Sequence, residues 1–315
     1  RAYPQMRAYL DLLASPQGRG PTMGAWELIY GRHFNADVLR RGALLAGAEV
    51  ASRIGRSDDA ERFGAAATRD ARVASDFVDE RTGRFVAYRE TADPWFGAIS
   101  GLDMTVISAL LAVRPVTPAD ADPDAPSRHL TDLAHPAVLA TMLALEEAFA
   151  PLYQVNRDWR AGGNLGWGLG RFPEDANDGL GSSGGNPWPL TTLWGAQFYY
   201  LLAQDVAARA ARAGSPPRIG DARQVAFFNR AANEAIIALD APIPADVWRE
   251  RLVPALVARA DGYLSFVVHH LPDDGGVTEQ IDRETGEPRG AADLSWALAE
   301  LIATIALHEQ AHRAT

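Results

Sequence analysis

Four times along this chain a polar loop opens into a stretch whose apolar residues recur at helical spacing, near residues 33, 101, 188 and 292. That repetition constrains the fold more than any single motif. A loop followed by a helix, over and over, predicts an all-α assembly of helical hairpins whose loops gather at one end. The last case is the sharpest. The loop Gly275-Gly-Val-Thr-Glu279-Gln280-Ile-Asp282 through Gly290 leads to Asp293-Leu-Ser-Trp296, and Leu294, Leu298, Leu301, Ile302 and Ile305 then mark one apolar face. Those residues are expected to be the buried side of a helix.

Other helices follow from the same periodicity. They are expected at about 3–14, 35–54, 57–80, 104–113, 134–154, 189–212, 221–239 and 246–270, about nine in all with the last. Between 35 and 54 the small residues Ala36, Gly42, Ala43, Ala46, Gly47 and Ala51 predict a helix with a slim face for close neighbours. A short strand is expected at 85–88. Residues 114–127, rich in proline and aspartate, read as an exposed loop inside one domain, 1–315, rather than as a boundary.

Composition excludes several chemistries. The chain has 315 residues, 47% of them hydrophobic and 22% charged, enough for a sizeable core. A net charge of −10 argues against nucleic acid, whose phosphates need a basic surface. There is no run of about 18 apolar residues to span a membrane. Cysteine is absent and all 30 basic residues are arginine, which removes thiol chemistry, Schiff-base lysines and the lysine of a phosphate loop. His269-His270 are neighbours that diverge on a helix, so no metal site is expected there, and no cofactor is called for. The chain opens at Arg1 without a methionine or signal-like segment, so further chain is expected upstream, with the first helices presenting an uncovered apolar face. On that expectation the chain alone is weak or inactive.

Three blocks carry candidate chemistry. The first is Gly24-Ala25-Trp26-Glu27-Leu28 through Gly31 and Phe34. The second is Gly170-Arg171-Phe172-Pro173-Glu174-Asp175, continuing to Gly185-Asn186-Pro187-Trp188. The third is the Glu279-Gln280 loop with Trp296. Read alone, Glu27 could equally be a surface or capping carboxylate, and Arg171–Asp175 an ordinary loop salt bridge.

Taken together the blocks resemble the glucoamylase family, glycoside hydrolase family fifteen. The family patterns are L-W-E-E-x-x-G-x-x-F-F, then G-R-(Y/F)-P-E-D with G-N-P-W-F-L-x-T, then S-x-x-E-Q-x-(D/N) with D/S-L-T-W. Leu28 stands in place of the second glutamate and Pro189 in place of an aromatic. The resemblance implies an (α/α)6 barrel, of which this chain would supply about the last two thirds. It also implies inverting release of glucose from the non-reducing ends of α-glucans, an oligo- or polysaccharide substrate. Glu27 would be the general acid and Glu279 the general base. Arg171 would clamp sugar hydroxyls, with Glu174 and Asp175 orienting it, and Trp26, Trp188 and Trp296 would form pocket walls. Opposite protonation states are required of the two glutamates, so Glu27 is expected to be the less solvated. A dextran- or trehalose-cleaving member and a non-catalytic glucan- or protein-binding module are the alternatives.

Overall fold

In the computed structural model the described residues are 2–70, 73–91, 100–114, 132–179, 181, 184–212 and 219–314. The loop expected at 114–127 lies almost wholly outside them. The architecture is all-α. Its helices are α1 (Tyr3–Ala14), α2 (Phe34–Arg53), α3 (Ser57–Arg69), α4 (Val73–Asp76), α5 (Thr105–Val113), α6 (Pro136–Phe149), α7 (Gln154–Ala161), α8 (Pro189–Arg212), α9 (Ala222–Ala231), α10 (Val253–His269) and α11 (Ser295–Ala314). The only strands among the described residues are two-residue pairs: β1 (Arg32–His33) with β2 (Tyr88–Arg89), and β3 (Gln280–Ile281) with β4 (Pro288–Arg289), both antiparallel. No helix among these residues is long and apolar enough to cross a membrane.

Two compact units divide the chain, 1–101 with 108–132, and 102–107 with 133–315. The first is built on α2, which packs against α1 and α3. Leu10, Leu44, Phe63, Ala66 and Ala67 form its core. The slim face expected on α2 is present for a steric reason. A Cβ at Gly47 would sit 2.4 Å from Leu10 Cδ1, and one at Gly42 would sit 2.6 Å from Val113 Cγ1, so a side chain at either place would push these neighbours aside. Buried Arg40 donates to buried Asp70 at 2.5 Å, and the half-buried Arg32 donates to buried Asp37 at 2.8 Å. On α1, Tyr9 and Leu12 are exposed.

The second unit is organised by α8, which packs against α10 and α11, while α6 packs against α9. The apolar stripe that helical spacing marks on it, Leu190, Trp194, Phe198, Leu201 and Leu202, is core: all are buried except Leu201, which is half-buried. Beneath it Glu146 on α6 accepts from Tyr199 at 2.8 Å and from Tyr263 at 2.5 Å, with Arg259 3.8 Å away. Both hydroxyls converge on Oε1, the nearby guanidinium offsets the buried charge, and the cluster ties α6, α8 and α10 together.

Four expected helices end or begin differently, each for a local reason. The 57–80 helix stops at Arg69, where Asp70 turns inward to Arg40. The 134–154 helix breaks beside Pro151 into α6 and α7. The 221–239 helix stops at Ala231, where the Asn229 side chain captures the Ile236 and Ile237 amides at 2.9 Å. The 246–270 helix starts as a π-helical turn, Val247–Leu252, ahead of Pro254. The strand expected at 85–88 shrinks to a bridge at Phe85 and β2.

The largest correction concerns α11. Its buried positions are Ala297, Leu301, Thr304 and Ala311, whereas Leu298, Ile302 and Ile305 are exposed, Ile302 by 63%. The small Ala297, Thr304 and Ala311, seven residues apart on one face, let α11 lie close against α8 and α10. The larger apolar stripe beside them is left outward.

Candidate active site

In the first unit, Trp26 and Glu27 ride on the turn 24–27. Thr22 and Gly31 close this loop by exchanging two backbone hydrogen bonds, at 2.8 and 2.9 Å. The His33 ring underlies Gly24, and its Nε2 lies 2.7 Å from the Ile29 carbonyl. Burial holds the His33 imidazole below its ordinary pKa, against the pull of its hydrogen bonds to Ile29 and Thr22. Glu27 itself has φ +54°, a left-handed conformation uncommon for a residue with a side chain, of the kind found at functional turns. Its side chain is exposed and Trp26 is half-buried.

In the second unit, the Arg171 guanidinium makes a two-pronged contact with Asp175, Nε to Oδ2 at 2.8 Å and Nη2 to Oδ1 at 2.7 Å. Both side chains are buried, and Asp175 also accepts from the Asn177 amide at 3.0 Å. The fork fixes the plane of the guanidinium. Its carbon lies 5.1 Å from the centre of the Trp188 ring and 5.6 Å from that of Phe172. Asp175 holds the arginine, whereas Glu174 is exposed at the turn before it.

Glu279 is half-buried at the start of β3. Its amide donates to the Ala291 carbonyl at 2.8 Å, and its Oε2 accepts from the Ala291 amide at 3.0 Å. Gly290 makes this possible. Its φ is +72°, and a Cβ there would stand 2.7 Å from Glu279 Oε2. Asp282 braces the same hairpin by accepting from the Glu284 and Thr285 amides at 2.9 Å and from Arg289 Nε at 2.7 Å. Burial pushes the Asp282 carboxyl up, but those amides and Arg289 outweigh it and leave its pKa below the ordinary value.

The two loops of this unit are joined side chain to side chain. Asn186 Nδ2 donates to Gln280 Oε1 at 2.9 Å and to the Asp178 carbonyl at 3.1 Å, while Asn186 Oδ1 accepts from the Arg283 amide at 3.0 Å. The Ile281 amide donates to Pro187 at 2.9 Å. The residue after the candidate base is thus tied to the residue two before the wall tryptophan. Trp296 meets Trp194 edge to face, ring centres 5.7 Å apart, and is itself exposed.

Arg171, Asp175, Trp188 and the Glu279 loop therefore belong to one connected framework. One expectation is reversed: Glu27, not Glu279, is the more solvated carboxylate, because it stands on an exposed turn while Glu279 is folded back onto Ala291. Asn186 and Gln280 are the buried pair, bonded across the two loops, that motif reading passed over as binding partners. Only their polarity inside buried stretches signals them.

The family described as glycosyl hydrolases family 15 matches residues 14–306. The glucoamylase of Blastobotrys adeninivorans is 27% identical over 98% of this chain and 47% of its own length. Glucoamylase 1 of Rhizopus oryzae is 30% identical over 88% of this chain and 42% of its own. Among solved structures, the glucoamylase of Saccharomycopsis fibuligera superposes with a TM-score of 0.74 and 26% identity, covering 91% of this chain and 57% of that one. Such structures are (α/α)6 barrels, and the likeness shows that fold over the shared part. The chain spans about half the length of the relatives it matches.

Proposed function

The chain belongs to glycosyl hydrolases family 15, and from that premise we propose that it carries catalytic machinery for inverting hydrolysis of α-glucosidic bonds at the non-reducing ends of starch-like glucans. Glu279 acts as general base and takes a proton from water as the water attacks the anomeric carbon. Glu27 acts as general acid and protonates the leaving glycosidic oxygen. Inversion requires the two carboxyl groups to be roughly 6.5–9.5 Å apart so that the water fits. Arg171, its plane set by Asp175, orients sugar hydroxyls, and Trp188 offers a flat apolar face to a pyranose ring. Trp26 and Trp296 are proposed as further sugar contacts. Glu174, exposed at its turn, is proposed to help Asp175 orient the arginine and to line the sugar pocket.

The observation that carries this reading is the Asn186–Gln280 hydrogen bond, 2.9 Å, which couples the guanidinium loop to the carboxylate loop. Catalytic groups need that kind of rigid support, since misplacement by an ångström costs orders of magnitude in rate. The test is Glu279→Gln in the protein that carries this chain, assayed for glucose release from maltose and soluble starch. Removing the charge that activates water while keeping the volume should lower kcat by about 10²–10⁴-fold with an unchanged melting temperature. A well-folded variant with near-normal turnover would sink the base assignment.

Exposure of Glu27 favours a second reading, a glucan-binding module without turnover, because a general acid works best when poorly solvated. Retention on insoluble starch with no glucose release by the wild-type protein would select it.

A further inference from the structure

The last helix carries a pattern that sugar hydrolysis leaves unused. His308-Glu309-Gln310-Ala311-His312 places two imidazoles four apart on α11, one turn above each other on the same face. This is the spacing by which a single helix offers two ligands to zinc. Their ring centres are 4.4 Å apart. Asp261 on α10 meets both rings: His308 Nδ1 lies 3.0 Å from Oδ1, and His312 Nε2 lies 3.1 Å from Oδ2.

We propose that Asp261, His308 and His312 form a binding site for a divalent transition-metal ion of the zinc class, clamping α11 onto α10. One nitrogen from each histidine and one carboxylate oxygen all lie within 4.8 Å of one another. Tetrahedral zinc, with metal–ligand bonds of about 2.0–2.1 Å, asks for ligand separations of roughly 3.3 Å. The spacings to the single oxygen Asp261 Oδ1, 3.0 Å from His308 Nδ1 and 3.2 Å from His312 Nε2, are already close to that. Two imidazoles and one carboxylate also match the preference of zinc, and of nickel or copper, over magnesium or calcium.

The support behind the ligands is in place as well. Tyr200 on α8 donates its hydroxyl to Asp261 Oδ1 at 2.5 Å, its ring fully buried. Outer partners that orient a ligating carboxylate in this way are a regular part of metal centres. The three side chains are between 31% and 45% exposed, so an ion can arrive from solvent, and water completes the fourth position. Glu309, between the histidines, is paired with Arg313 at 2.9 Å, which fits a structural ion rather than a hydrolytic one. His308 and His312 lie about 18 and 24 Å along the helix from Trp296, at 1.5 Å per residue, away from the Glu279 loop.

The test uses the protein that carries this chain, treated with chelator and titrated with zinc chloride by calorimetry and with cobalt(II) by visible absorption. One equivalent should bind in the micromolar range or tighter. Cobalt should show the intense bands of a tetrahedral nitrogen–oxygen site, and zinc should raise the melting temperature by a few degrees. Asp261→Asn and His312→Gln, both at accessible positions, should each weaken binding by about tenfold or more. Tyr200→Phe should weaken it by about 10–100-fold. His269→Gln, on the neighbouring histidine pair, should change nothing. No saturable binding, or binding that survives both Asp261→Asn and His312→Gln in folded protein, would overturn the site.

Discussion

At Gly290 a missing side chain decides where a charge can sit. The Glu279 carboxylate is held against the 290–291 backbone because no Cβ occupies the intervening space, and the left-handed φ of Gly290 turns the chain there. Gly290→Ala adds a methyl group 2.7 Å from Oε2 and forces alanine into a conformation that costs about 1–2 kcal/mol. We expect a loss of stability of that order by urea denaturation. If Glu279 is the base, as proposed, turnover should fall by about tenfold or more with little change in KM, since the proposed base moves and the proposed sugar contacts do not. An alanine variant with wild-type turnover would show that the position of Glu279 is not set from this side. Glu27 illustrates the other way a residue is held. Its turn is closed by Thr22 and Gly31 and seated on His33, so the backbone is fixed while the side chain stays in water.

Between elements, the informative unit is the pair of loops that Asn186 stitches together. Its amide satisfies Gln280, the Asp178 carbonyl and the Arg283 amide at once. Asn186→Ala strands buried polar groups, each worth about 1–3 kcal/mol when left unpaired, so a total loss of about 3 kcal/mol is expected. Faster hydrogen exchange at Ile281 and Arg283 should accompany it. Unchanged protection at those amides would mean that the loops hold together without the asparagine. This is also where sequence and structure part company. Arg171 and Asp175 are legible as a pair because they are four apart in a compact motif, and Glu279-Gln280 because a loop-to-helix pattern surrounds them. The Asn186–Gln280 bond crosses 94 residues, and no local pattern encodes such a contact. Helix α11 shows a second limit. Periodicity reveals that Leu298, Ile302 and Ile305 share a stripe, but the covered stripe is the one with alanine and threonine, chosen by how closely α8 and α10 approach. The spacing of His308 and His312 is readable by eye. Their third member, Asp261, is 47 residues upstream of His308 and surfaces only when α10 and α11 are packed.

For the molecule as a whole, the outward stripe of α11 matters most. Trp296, Leu298, Ile302 and Ile305 place four large apolar side chains on one exposed helix, a feature that promotes association in soluble proteins. Replacing the most exposed of them, Ile302→Glu, should lower the binding of a hydrophobic dye and reduce self-association in sedimentation experiments, with the melting temperature unchanged. A drop of several degrees instead would mean that this face is covered in solution. The 94-residue span between Asn186 and Gln280 has a consequence of another kind, in the time course of synthesis. A ribosome adding ~5–20 residues per second needs roughly 5–20 s to make that stretch. Throughout that interval the nascent Arg171 loop has no carboxylate loop to dock with, and the flank of α8 that α11 will cover is bare. The segment that completes the framework emerges only after that interval, and until then the loop and the bare helix flank are open to misassembly or to a chaperone.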